Sequence, residues 1–147
     1  MKYLSIFMTI LLFSNCESTK QIQENNPDAP YETILESDYG GLEAKSYRVI
    51  RSKSELGNEI SLLNLDESTL NRLKTVDFKK QAVLSLHMGT RNTGGYGIKV
   101  SNVEINGNTT YVKIEEQSPN PDDMVTMALT QPFCLVVIDS NENIIFN

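Results

Sequence analysis

Residues 96–116 constrain this chain more tightly than any other stretch, because their apolar residues change phase on the way to a turn signal. Tyr96, Ile98 and Val100 stand at even positions, Val103 and Ile105 stand at odd ones, and Asn106-Gly107 follows at once. Strand side chains alternate between faces, so a run that keeps one face buried cannot change phase without an inserted residue. A one-residue β-bulge at Ser101 or Asn102 supplies it. Asn-Gly is a preferred pair for a two-residue type I′ turn. Pairing Ile105 with Asn108 sets Val103 against Thr110, and the bulge then sets Val100 against Val112 and Ile98 against Ile114. Turn and bulge require each other, and together they predict a long antiparallel hairpin.

A hairpin returns the chain to the end it left. The loop before the hairpin, Gly89-Thr90-Arg91-Asn92-Thr93-Gly94-Gly95, and the one after it, Ser118-Pro119-Asn120-Pro121-Asp122-Asp123, are therefore expected at the same end of a sheet. Two polar loops stiffened by Gly or Pro on a β scaffold form a recognition surface. Its candidate partner-binding residues are Arg91, Asn92, Thr93, Gly94, Gly95 and Tyr96 from the first loop, with Pro119, Asn120, Pro121 and Asp122 from the second.

The remaining elements follow from local signals. Residues 31–36 and 45–51 read as strands about the turn Asp38-Tyr39-Gly40-Gly41. Ser52 three residues before Glu55 is a capping box, and Leu56, Ile60 and Leu63 repeat at helical spacing, which predicts a helix over 53–63. Asp66 caps a second, weaker segment carrying Leu70 and Leu73. From residue 81 the period falls to two. Residues 83–88 place Leu84, Leu86 and Met88 on one face and Val83, Ser85 and His87 on the other. Val125, Met127 and Leu129 alternate as a further strand, 133–138 is apolar enough to be covered on both faces, and 143–146 closes the sheet after a turn at Ser140-Asn141. The fold class is mainly β (α+β): a sandwich-like antiparallel sheet with one or two short N-terminal helices.

The N-terminus has a separate logic. Met1 and Lys2 precede an apolar run ending at Phe13, too short to span a bilayer as a helix, and Ser14, Asn15 and Cys16 follow. This order resembles the lipobox of bacterial lipoproteins, which implies a signal peptide over residues 1–15 and a palmitate-bearing lipid anchor on Cys16. Residues 16–30 are rich in Gln, Asn, Glu, Ser and Pro and cannot bury enough surface to order themselves, so they read as a flexible tether. A random coil of that length spans about 20 Å. The folded domain is expected over 31–147, in a bacterial cell envelope, with the outer membrane or cell surface as its location. With Cys16 lipidated, Cys134 has no internal disulfide partner and reads as an inert core thiol.

Little in the chain points to catalysis. There is no Gly-x-Ser-x-Gly, no His-Glu-x-x-His and a single histidine, His87, which reads as a partly exposed strand residue. Ser85 shares its face, yet no orienting acid is placed with them by sequence. Gly94-Gly95 leads into a strand and not into the helix N-terminus a phosphate loop uses. Asp122-Asp123 lacks calcium-loop spacing, so no metal or cofactor is expected. The formal charge of −6, from 13 Lys+Arg against 19 Asp+Glu, offers no basic block for nucleic acid.

Val76-Asp77-Phe78, Ala82-Val83-Leu84, the run from Gly89 through Thr93-Gly94-Gly95-Tyr96, Ser118-Pro119 and Gln131-Pro132-Phe133 occur in an order that resembles the C-terminal domain family of PrcB, a protease-complex subunit. Asn92 departs from the Pro more common there. The resemblance implies a noncatalytic accessory role in which the chain binds an envelope or secreted protein, a protease included. Asn92-Thr93-Gly94-Gly95-Tyr96 also resembles a shortened inhibitory loop of chagasin-type cysteine-protease inhibitors, and Gln131-Pro132-Phe133 resembles their third loop without its Arg. Cysteine-protease inhibition is the alternative this implies.

Overall fold

The computed structural model describes residues 30–139 and 143–147. The leader, Cys16, all but the last residue of the tether and the turn expected at Ser140-Asn141 lie outside the described residues.

Two sheets face each other. The first has four antiparallel strands in the order β1-β6-β3-β2, with β1 at Tyr31–Ser37, β2 at Ser46–Ile50, β3 at Gln81–His87 and β6 at Phe133–Asp139. The second has the order β4-β5-β7, with β4 at Gly97–Asn106, β5 at Thr109–Gln117 and β7 at Asn143–Phe146. β7 runs parallel to β5, so this sheet is mixed.

Apolar residues on the two faces of β3 and β6 feed different cores. Leu84, Leu86, Cys134, Val136 and Ile138 meet Ile98, Val100, Val103 and Val112 of the hairpin between the sheets. Val83, Leu135 and Val137 meet Leu56, Leu63, Leu73 and Val76 on the far side. These last residues come from two helices and their flanks, α1 at Lys53–Ile60 and α2 at Glu67–Lys74. The molecule is thus three layers, helices, four-stranded sheet and three-stranded sheet, and its central strands are covered twice. Each fully buried Leu or Val contributes about 1.5–3 kcal/mol. Cys134 is fully buried and free, and burial, with the nearby Glu36 charge, pushes its thiol up to about 12, so it is not a nucleophile at neutral pH.

Both helix caps form. Ser52 Oγ accepts from the Glu55 N–H, whereas Glu55 returns its carboxylate to the Arg51 N–H, one residue earlier than a capping box requires. Asp66 accepts from both the Thr69 N–H and the Thr69 hydroxyl. From α2, Arg72 donates to the carbonyls of Ile34 and Thr33 and to the Glu32 carboxylate, covering part of edge strand β1.

The hairpin carries its bulge at Ser101, between Val100 and Asn102. Its register differs from the sequence expectation: Asn106 pairs with Thr109, Val103 with Val112 and Val100 with Ile114. The cause is the turn. Gly107 has φ +59° and no other residue of the turn has a positive φ, the pattern of a type II′ turn with Gly first and not of the type I′ turn expected. Partners move by two residues, which preserves the faces.

Candidate functional site

Gly97 pairs with Gln117, so the loops before and after the hairpin leave the same end of the sheet. They then bind each other. The Arg91 and Thr130 main chains exchange hydrogen bonds at 2.8 and 2.9 Å, the Gly94 N–H donates to the Thr126 carbonyl at 2.9 Å, and the Thr130 hydroxyl donates to the Thr93 carbonyl at 2.8 Å. A side chain at Gly95, where φ is +84°, would meet Pro119 at 3.0 Å and Val125 at 3.1 Å. At Gly94 a Cβ would lie 2.5 Å from the Thr126 hydroxyl. Both glycines therefore let the segment 118–130 lie flat on the segment 91–95.

This segment is not the strand expected around Val125, Met127 and Leu129. Between β5 and β6 the only ladder contact among the described residues is the isolated Arg91–Thr130 bridge. The alternation does not sort the residues into an inner and an outer face. Val125 is half-buried against Gly95, whereas Met127 and Leu129 are 88% and 69% exposed and Met124 is fully exposed. The missed signal was the even positions: Met124 and Ala128 are not polar, so there was no solvent face to alternate with.

The expected contact residues divide into two groups. Asn92, Asn120, Pro121 and Asp122 are exposed, and Asn120 is fixed by its main-chain and side-chain donation to Asp123 Oδ2. Thr93 and Pro119 are half-buried in the seam between the loops, and Gly94 is fully within it. Arg91 lies with its guanidinium 5.4 Å from the centre of the Tyr96 ring, whose body packs on the inter-sheet core. The Arg91 charge also acts on Glu116. Burial alone would raise the Glu116 carboxyl, but bonds from Lys45 and Tyr47, helped by both cations, hold it below its ordinary value. Lys45 and Tyr47 enter from the first sheet and Glu116 from the second, so this contact fastens the sandwich beside the loops.

A second cluster lies at the other side of β3. His87 is fully buried and not partly exposed, because Phe133 stacks on its ring at 5.7 Å and α1 covers its polar edge. The fold also brings Ser85, His87 and an acid together, which the sequence did not place: Ser85 Oγ is 2.8 Å from His87 Nε2, and Glu59 Oε1 is 2.7 Å from Ser85 Oγ and 3.2 Å from His87 Nε2. The legible signal was Glu59 itself, three residues after Leu56 and four before Leu63 on the apolar stripe of α1.

Proton inventory defines what this cluster can do. The Leu42 N–H donates to His87 Nδ1 at 3.1 Å, which leaves the neutral ring's proton on Nε2. Nε2–H then donates toward Ser85 and Glu59, and the Ser85 hydroxyl donates to Glu59. In this tautomer Nε2 cannot accept the serine proton, and Ser85 and His87 are both sealed from solvent. Burial would raise Glu59, but hydrogen bonds from Ser85, Arg48 and His87 outweigh it and lower its pKa; burial lowers that of His87, against the pull of Glu59. The bonds all run inward, pinning α1, β2, β3 and the 40–42 loop to one another. Among the described residues no group of three or more His, Cys, Asp or Glu is placed to hold a metal, and no helix is long and apolar enough to cross a membrane.

Residues 83–139, from β3 through β6, match the family model described as PrcB C-terminal. Neither the curated proteins nor the solved structures gave a match to this chain.

Proposed function

We propose that the PrcB-like domain of this chain, carried by residues 83–139, is the noncatalytic protein-binding module of a lipid-anchored bacterial envelope protein, and that its partner is a secreted or surface protease complex. The family suggests a protease-complex subunit. The observation that carries the binding role is the stapled loop: hydrogen bonds from Arg91, Gly94 and Thr130 fix its backbone while Met124, Met127 and Leu129 stand in solvent. Exposed apolar side chains on a preorganised backbone gain free energy by association without first paying for loop ordering. Methionine adapts its shape to the surface it meets.

A photo-crosslinking residue at position 127 is expected to capture one envelope or secreted protease component, and the same residue at the exposed Glu104, near the hairpin turn at the other end of β4, to capture none. Replacing Met124 and Met127 by Asp is expected to weaken capture by about tenfold or more, as for interface anchors, with melting unchanged. Equal adducts from positions 127 and 104 would remove this reading. A titration against papain-like enzymes separates the inhibitor alternative, which requires stoichiometric inhibition. The anchor is tested by metabolic labelling with a palmitate analogue: label is expected on the native chain and lost from Cys16→Ser.

A further inference from the structure

β1 and β4 are the outer strands of their respective sheets, so each has one side without a strand partner. Where they come together a cleft of about 540 Å³ opens, lined by Glu36, Asp38 and Tyr39 from one side and by Tyr96, Lys99 and Glu115 from the other. Farther along β1, Arg72 already takes the carbonyls of Thr33 and Ile34. The uncovered part of that edge is the part at the cleft.

The charges in the cleft are unevenly satisfied. Lys99 pairs with Glu115 at 3.3 Å across the hairpin. Glu36 and Asp38 have no side-chain hydrogen bond or ion pair among the described residues. Both carboxylates are exposed at the mouth of the cleft, where the neighbouring walls desolvate Glu36 enough to push its carboxyl up and the Lys99 charge draws it only partly back. A second cation beside it would stabilise its charged form. The aromatic walls favour the same ligand. Tyr39 is 55% exposed, and Tyr96 already receives a guanidinium, that of Arg91, at 5.4 Å from its ring centre.

We infer that this cleft takes an extended segment of a protein partner carrying a lysine or arginine side chain, with Glu36 and Asp38 receiving the cation and Tyr39 flanking it. The inference deepens the protein-binding reading and rests on it. The segment would lie beside the sheet edges, and its cation would reach the two unpaired carboxylates between aromatic rings. A partner with an acidic or purely apolar segment would leave both carboxylates unpaired and gain nothing from them.

The test uses fluorescence anisotropy of the whole protein with four labelled pentapeptides, Thr-Val-X-Val-Thr, in which X is Lys, Arg, norleucine or Glu. The Lys and Arg peptides are expected to bind about tenfold or more tightly than the norleucine and Glu peptides, as charge-assisted hydrogen bonds imply. Combining Glu36→Gln with Asp38→Asn should erase the difference while melting stays unchanged. Equal affinity for Lys and norleucine, no binding at millimolar peptide, or a preference that survives the double replacement would each overturn the inference. Should the preference be absent while the crosslink at position 127 persists, the cleft assignment alone falls. Should the preference hold while that crosslink is missing, the loop as docking surface falls and the cleft stands as a cation site.

Discussion

Glu59→Ala is expected to lower the unfolding free energy by about 2–4 kcal/mol, measured by urea titration at pH 7. The replacement keeps only the His87 Nε2–H bond to Ser85 Oγ where three bonds existed, and leaves the fully buried Ser85 hydroxyl proton without an acceptor. Arg48→Ala removes the other partner of Glu59, but Arg48 is 44% exposed, and its loss should cost only about 1 kcal/mol. Equal effects from the two would mean that the inward bonds to Ser85 and His87 contribute little.

The same cluster sets a pH dependence whose sign is definite. The folded His87 pKa lies below its unfolded value, chiefly because burial disfavours the cation. The unfolded chain therefore binds a proton first, and the stability His87 contributes is complete above the unfolded value near 6.5 and lost as pH falls below it. Protonation would also place a donor on Nδ1 against the Leu42 N–H. Glu59 is lowered too, so its contribution is lost at more acidic pH, below the ordinary carboxylate range. Melting temperature should fall in two steps, and His87→Gln should remove the upper step and keep the lower.

Gly41→Ala is expected to cost about 2–3 kcal/mol, at the upper end for an overpacked site. A Cβ there would lie 2.6 Å from the Gln131 carbonyl oxygen, 3.0 Å from Phe133 Cβ and 3.1 Å from His87 Nδ1. Backbone must move, and the Gly41 N–H bond to Gln131 and the Leu42 bond to His87 both go with it. Gly57→Ala makes the opposite case. Nothing lies within 4 Å of its Cβ position inside α1, so helix propensity alone acts and should stabilise by about 1 kcal/mol. Thermal melts of the two variants should move in opposite directions.

Local chemistry was legible in the sequence. Ser52 and Asp66 cap the two helices, Ser101 is the bulged residue, and the faces of β3 are those read from its alternation, because each depends on residues a few positions apart. The hairpin register was not legible, since it turns on whether the two-residue turn starts at Asn106 or at Gly107, and Asn106 does not take the positive φ that the expected pair requires. The course of residues 118–130 escaped for a different reason. Its hydrogen bonds go to Arg91, Thr93 and Gly94, some thirty-five residues away, and its own alternation imitates a strand. The Ser85–His87–Glu59 contact likewise joins residues of two elements, β3 and α1, more than twenty-five positions apart, so nothing in the spacing of the single histidine announced an acid beside it.

The two ends of β1 have a mechanical consequence. The strand begins at Tyr31 opposite Ile138, with Pro30 accepting from Asp139, and ends at Ser37 opposite Phe133. The loop bearing Met124 and Met127 runs directly into Phe133, so the point where the chain enters the domain and the point where the loop leaves it are at opposite poles, about 20 Å apart along seven residues. A pull between them draws β1 and β6 past each other along their length. In that direction the ladder bonds share the load and must break together, whereas a pull from a single pole would open them one at a time. Tension between Tyr31 and Phe133 therefore meets the ladder in its stiffest direction.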